Sequence, residues 1–504
     1  MLEAQLGEAV GQGDLVVIRS LLDAGANVHY VRPKGYTVMV DVMHGRSIAE
    51  DEQLIPVLRL LIERGADLDA VSDYGESALS VASNLGRFDA VGLLLDAGAD
   101  PGPLAWTPLM RAVALESIED VHSMIEGGAD LTARDRWDRT AWLLSLQTGD
   151  VDKAELLLNA GSSKSDRGRC GRIPLMYPIA AGHVAMLKWL LEQGMDPNET
   201  DDFGGTALTE AAGNGAADSV RLLLDAGADL HYSHDSQSAI QAAGSLEVVR
   251  ILVGAGADLN DISGEMRAAL TRLPHDGRID CTPREYHAAK NRVFGSSNPQ
   301  RMNYPFWKAM VLGGANAYQA RVHFEQERLG GEAVWCFDRF GKSINELPDG
   351  RIIEIAGEHE DYYDEDFCIY NDVIVHRGDG SFDLYGYPET VFPPTDFHTA
   401  TLVGDSIYII GGLGYRGKRR FGTTPVYRLD IDTLAIESVE PKGELPGWIN
   451  GHKAKLVDNG IEVTGGKVCS FSDDEEHYEH NSDLYALDLA TMVWSRVPDV
   501  SQPG

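Results

Sequence analysis

Residues 93–100 read LLLDAGAD, and the same eight letters return at 222–229. Looser copies surround them: LLDAGAN, LLIERGAD, MIEGGAD, LLLNAGSS, LLEQGMD and ILVGAGAD. Their glycines, taken in order with Gly98 and Gly227, are Gly25, Gly65, Gly98, Gly128, Gly161, Gly194, Gly227 and Gly256, spaced by 40, 33, 30, 33, 33, 33 and 29 residues. A period near 33 means one supersecondary unit used about eight times. The leucines of each copy supply the apolar stripe of a helix. The glycine permits the left-handed residue that ends it, and the small and acidic residues that follow begin a turn.

About ten residues beyond each glycine a second helix start recurs: ESALSVA (76–82), WTPLMRA (106–112), RTAWLLS (139–145), RIPLMYP (172–178) and GTALTEA (205–211). Thr107, Thr140 and Thr206 stand where a side chain caps a helix, and Pro108 and Pro174 suit the first helical position. Each unit is therefore a helix, a tight turn (GRFD, TGDV, AGHV or NGAA) and a second helix. Over roughly residues 5–260 the chain resembles the ankyrin family. Two departures stand out. The family's TPLH pattern is nowhere complete, because Ser80, Met110, Leu143, Met176 or Thr209 occupies the His position, and the stretch Gly35 to Glu52 carries extra residues. Such a helix pair cannot shield its apolar side alone, so copies stack and leave a loop-lined concave surface. The resemblance implies that this surface binds other proteins.

The repeat period places Arg134, Arg136 and Arg139 opposite Arg167, Arg169 and Arg172, each pair 33 residues apart. Stacked at about 8–10 Å, these guanidinium groups are expected to form one patch suited to carboxylates or phosphates. Their alternative partners are the adjacent Asp135, Asp138 and Asp166, or the acidic second half of the chain. Tyr74, Trp137 and Phe203 share one loop position, immediately before the loop glycine or the Asp138 that replaces it. Aromatic residues and arginine dominate interface energetics.

From Ile262 to about Glu332 the period stops, and pieces such as EMRAALTRL and PREYHAAKNRVF read as helices that pack against their neighbours. Beyond them, β-branched and aromatic runs alternate with turn residues. RIIEIAG, SIYIIGG and GIEVTGG end at Gly357, Gly412 and Gly466, spaced 55 and 54. Each is followed by a variable loop and a further strand pair, among them PVYRLDIDTLAIESVE and DLYALDLATMVWSRVP. With His398 and His452 opening the second and third units, residues 335–500 resemble the kelch family, though Ala356 replaces one glycine of the first unit. Only three units are present where propellers typically have 4–8 blades. This predicts either a pair of chains that completes a ring or a fan covered by other parts of the same chain.

The variable loops carry charge. EHEDYYDED (358–366) and SDDEEHYEH (472–480) are acidic and flank the basic YRGKRRF (415–421). Candidate contacts there are Tyr362, Tyr363, Arg416, Lys418, Arg419, Arg420, Asp473, Asp474, Glu475 and Glu476. GLGYRG (412–417) has the letters of a nucleotide-binding turn, but a strand-like TTPVYRLDI follows where a helix is required, and Arg419 stands where Ser or Thr would hold magnesium. His477 and His480 lack a complete metal-ligand spacing, and no nucleophile and base pair can be assembled. We therefore expect no catalytic residue, no cofactor and no metal.

Composition sets the outer bounds. Of 504 residues, 43% are hydrophobic and 24% charged, which argues against bulk disorder, and no apolar run approaches the 18 needed to cross a membrane. The acidic N-terminus reads as no signal peptide, and five scattered cysteines fit a reducing, cytoplasmic setting with buried thiols. The net charge of −35 divides as −20 over 1–260, +2 over 261–332 and −17 over 333–504. Such a field repels nucleic acid and anionic lipid and steers a basic protein inward. The expectation is an α+β multidomain chain. An all-α ankyrin solenoid over 1–260 is followed by a short helical segment over 261–332 and an all-β kelch-like domain of about three blades over 333–500. Its expected role is non-catalytic protein binding, as an adaptor or as an inhibitor of the immunity type, acting as monomer or homodimer. An enzyme acting on a sugar or sugar acid on a kelch-type scaffold is the alternative.

Overall fold

A computed structural model describes residues 2–44, 52–235, 237–326, 332–359, 367–472 and 475–497. The chain forms two compact units that meet in sequence at Ala257 and Asp258.

In the first unit, eight helix pairs follow one another among the described residues, from Leu2–Gln12 with Leu15–Asp23 to Ala239–Ala242 with Leu246–Ala255. The caps read from the sequence are present: the side chains of Thr107, Thr140 and Thr206 accept from the N–H groups of Met110, Leu143 and Thr209. Successive loops are joined backbone to backbone. The N–H of Asp73 donates to Lys34 O (2.9 Å), that of Arg169 to Trp137 O (3.0 Å) and that of Asp202 to Cys170 O (3.1 Å). The missing histidines are replaced in two ways. Ser80 and Thr209 close capping boxes with Ser77 and Thr206, whereas Met110, Leu143 and Met176 are buried as apolar filler. Part of the extra stretch after Gly35 is the helix Val38–His44; residues 45–51 lie outside the described residues.

Among the described residues the second unit holds three consecutive four-stranded antiparallel meanders. The first joins Ser343–Glu346, Ile352–Ile355, Val373–His376 and Phe382–Gly386; the second joins Thr399–Val403, Ser406–Ile410, Val426–Asp430 and Ile436–Val439. The third joins Lys453–Val457, Gly460–Thr464, Leu484–Asp488 and Val493–Val497. Their inner strands lie side by side, the second between the other two. Gly357, Gly412 and Gly466 explain the glycine signature. All three have positive φ, and a Cβ at Gly412 would lie 2.3 Å from Thr395 Oγ1 and one at Gly466 2.5 Å from Asn450 O.

The helices of the 261–332 segment share a core with the first blade. Trp307 stacks on Trp335 at 4.7 Å, and both are fully buried with Phe306, Met310 and Tyr370. Trp335 Nε1 donates to Asp372 Oδ2 at 2.8 Å, and Arg339, ion-paired to the same carboxylate, lies 3.6 Å above the Tyr370 ring. The helix Gly264–Thr271 is joined to the blade by Arg267, which pairs with buried Glu354; Lys342 (3.2 Å) and His376 (3.1 Å) also reach that carboxylate. Burial alone would raise the Glu354 carboxyl, but Arg267 and Lys342 outweigh it and hold it well below the usual carboxylate range. At the other end of the fan, Ile461, Val463, Leu487 and Trp494 pack on the second blade, while the opposite face of the same strands presents Lys453, Lys455, Glu462, Thr464 and Ser495. A polar outer face is how a stacked array ends without a further repeat.

Candidate interaction surface

The six arginines follow the predicted period, but most of them act between repeats. Arg134 donates to the carbonyls of Asp138 (2.5 Å) and Arg167 (2.6 Å); one period later, Arg167 donates to those of Gly171 (3.1 Å) and Thr200 (2.7 Å) and pairs with Glu199. Each guanidinium thus closes its own loop and fastens it to the next. Arg172 binds Glu210 at 2.8 Å and covers the Tyr177 ring. Arg169 is the most open of the set: it lies over Trp137 at 5.2 Å and is 3.9 Å from Asp138.

Arg136 and Arg139 do something the period alone does not show. Thr107 follows Gly98 by nine residues where Thr140 follows Gly128 by twelve, so the fourth repeat has a shortened loop. Across that gap Arg136 donates to Gly75 O (2.6 Å), and Arg139 donates to the backbone and side-chain oxygens of Ser83 (2.8 and 2.7 Å). Arg139 is 2% exposed and pairs with Asp135 at 2.6 Å, so it lies inside the array and not on its surface. The signal for this was the 30-residue spacing, which marks where a loop is missing but not which side chains replace it.

The loop aromatics divide similarly. Tyr74 is 59% exposed and Phe203 70%, at the tips of their loops, while Trp137 is half-buried beneath Arg169. Lys34 donates to the Tyr74 hydroxyl at 2.6 Å and lies over its ring, and Tyr36 packs beside it at 6.4 Å. Ring positions fixed in this way cost little further ordering when a partner arrives.

In the second unit Tyr362, Tyr363, Asp473 and Asp474 lie outside the described residues. The basic loop is anchored by Arg419, whose buried guanidinium pairs with Glu476, meets the Tyr478 hydroxyl and donates to Gly414 O (3.0 Å). Arg416, Lys418 and Arg420 remain exposed; Lys418 is 3.6 Å from Glu389 and Arg416 3.9 Å from Glu476. The acidic stretch taken as a loop is largely sheet. Lys467–Ser472 pairs with Glu475–His480, so Glu475 and Glu476 lie on a hairpin strand. The alternation of Val468, Ser470 and Ser472 with Cys469 and Phe471 carries that strand, and the charge density of its partner hid it.

His398 and His452 join the blades. Their Nε2 atoms are 2.9 Å from Ser343 Oγ and Thr399 Oγ1, the first strand residues of the preceding blades. Burial, with His452 nearby, lowers His398 from 6.5 to about 3, and burial lowers His452 to about 4. Both are neutral imidazoles at neutral pH.

A family model for ankyrin repeats (3 copies) matches residues 47–135, 109–201 and 193–263. An ankyrin repeat protein of Acanthamoeba polyphaga mimivirus is 35% identical over 89 residues, 17% of this chain and 52% of that protein. Kelch domain-containing protein 3 of Rattus norvegicus is 27% identical over 114 residues, 22% of this chain and 28% of that protein. The chain thus spans about half the length of the first relative and under a third of the second. The solved human ASB11 ankyrin repeat domain is 22% identical, with 50% of this chain and 97% of that one covered at a TM-score of 0.24. Among the described residues no helix is long and apolar enough to cross a membrane. Helix pairs at a 33-residue period and the family-model match show that the chain carries ankyrin repeats, followed by a kelch-like β-sheet domain of glycine-marked four-stranded blades.

Proposed function

We propose that the chain is a non-catalytic binding protein, an adaptor or an inhibitor, that recognises a basic partner through the loop tips of its ankyrin array. The observation that carries this reading is the exposure of Tyr74 and Phe203 on loops otherwise fixed by inter-repeat bonds. Aromatic rings that stand largely open to solvent on fixed loops are anchors for a protein surface. The charge of −20 on residues 1–260 supports a partner of opposite sign, drawn in by long-range attraction.

The test compares the full chain with its Tyr74→Ala/Phe203→Ala variant as bait in native lysate, with thermal unfolding of both. A basic protein retained by the first and lost by the second, at equal thermal stability, is the expected result. Identical retained sets would remove the loop tips from recognition.

A further inference from the structure

The outer strand edges of the blades are covered one by one. Gln300–Met302 pairs with Phe382–Gly386 in the first blade. In the second, the Asn298 amide takes both backbone groups of Ile436, at 2.7 and 2.9 Å. In the third, Lys442–Gly443 runs alongside Val493–Trp494. The strand Glu475–His480 differs: it ends a three-stranded sheet and, among the described residues, is paired only with Lys467–Ser472.

Its open side has a definite pattern. Asn481 N–H donates to Gly466 O at 3.0 Å, and the next opposite pairs run from Lys467 with His480 to Ser472 with Glu475. Bonded pairs recur at every second position of an antiparallel ladder. The backbone groups of Glu475, His477 and Glu479 therefore point into the sheet, and those of Glu476, Tyr478 and His480 point out of it. The side chains alternate too. Glu475, His477 and Glu479 lie on one face; Tyr478 lies on the other with Glu476, which Arg419 neutralises, with His480, and with Phe471 of the neighbouring strand, which is 53% exposed and stacks on Phe421 at 5.7 Å. The edge is also held in place, since Arg419 grips Glu476 and Tyr478 from below.

We propose that the edge 475–480 accepts an extended segment of a partner protein in which Lys or Arg alternates with apolar residues, adding it as a further strand. Outward N–H and C=O groups give main-chain bonds, and side chains on the two faces set the preference. Cations of the added strand meet Glu475 and Glu479 on one face, and its apolar residues meet Tyr478 on the other. Edge charges repel a second copy of the same strand, so the edge discriminates against itself and in favour of a strand of opposite sign. This site is independent of the ankyrin loop tips.

The experiment uses the full chain with two labelled peptides, one alternating lysine with valine and one alternating glutamate with valine, read by fluorescence anisotropy and by amide exchange. The lysine peptide binds, the glutamate peptide does not, and the amides of Glu476, Tyr478 and His480 exchange more slowly in the complex. Glu475→Lys with Glu479→Lys weakens the lysine peptide by roughly tenfold and inverts the preference. His480→Pro removes one outward donor and weakens binding without changing the charge of the acidic face. Equal binding of both peptides, or binding that leaves those three amides unprotected, overturns the proposal. So does a peptide-free dimer in which they are already protected, because the occupant is then a second copy.

Discussion

Arg139 and Arg169 are the same residue type on neighbouring loops, and their surroundings make them different chemical objects. Arg139 is enclosed with Asp135, Ser83 and Gln147, so its removal leaves a buried carboxylate without a cation. Breaking one side of a buried pair costs about 3–5 kcal/mol. Arg139→Ala should lower the urea midpoint of the first unit accordingly, and Arg139→Lys should recover little, because an ammonium cannot make the same fork of bonds. Arg169→Ala, at an exposed pair and a surface ring, should change stability by no more than about 1 kcal/mol. Sequence placed both in one patch of six, Arg139 opposite Arg172 and Arg169 opposite Arg136. It could not separate them, because the loop deletion that encloses Arg139 acts through a repeat two units away.

At the scale of elements, the blades meet through His398 on Ser343 and His452 on Thr399. Ser343→Ala strands a buried imidazole nitrogen and should cost about 1–3 kcal/mol, measured by chemical unfolding of the second unit. The same histidines set an acid limit. Their folded pKa values, about 3 and about 4, lie below the ordinary 6.5, so the unfolded chain binds more protons. Stability is therefore full above pH 6.5 and falls by about 1.4 kcal/mol per pH unit for each histidine below it. The decline eases near pH 4 for His452 and near pH 3 for His398. Unfolding curves at pH 7, 6 and 5 check this, and His452→Gln should flatten the slope. The helix pairs, their caps and the glycine-marked strands were legible because each rests on local spacing. The Glu475–His480 strand was not, since its pairing is fixed by a neighbour and its own composition reads as solvent-facing loop.

For the whole molecule, the informative number is the net charge of −35, carried by both ends of the sequence. A basic partner should associate faster at low salt, and its on-rate should fall steeply as salt is raised toward physiological strength; stopped-flow mixing reads this directly. Sedimentation should give a monomer at micromolar concentration, because helices cover one end of the fan and a lysine- and serine-bearing sheet face ends the other. That last sheet face also frees the architecture from arithmetic. A closed ring must contain a whole number of blades that meets itself, and a change of one reopens every contact. A stack bounded by a helical shoulder and by a polar sheet face has no such constraint, so a duplicated or deleted blade would alter its length and leave both of its ends as they are.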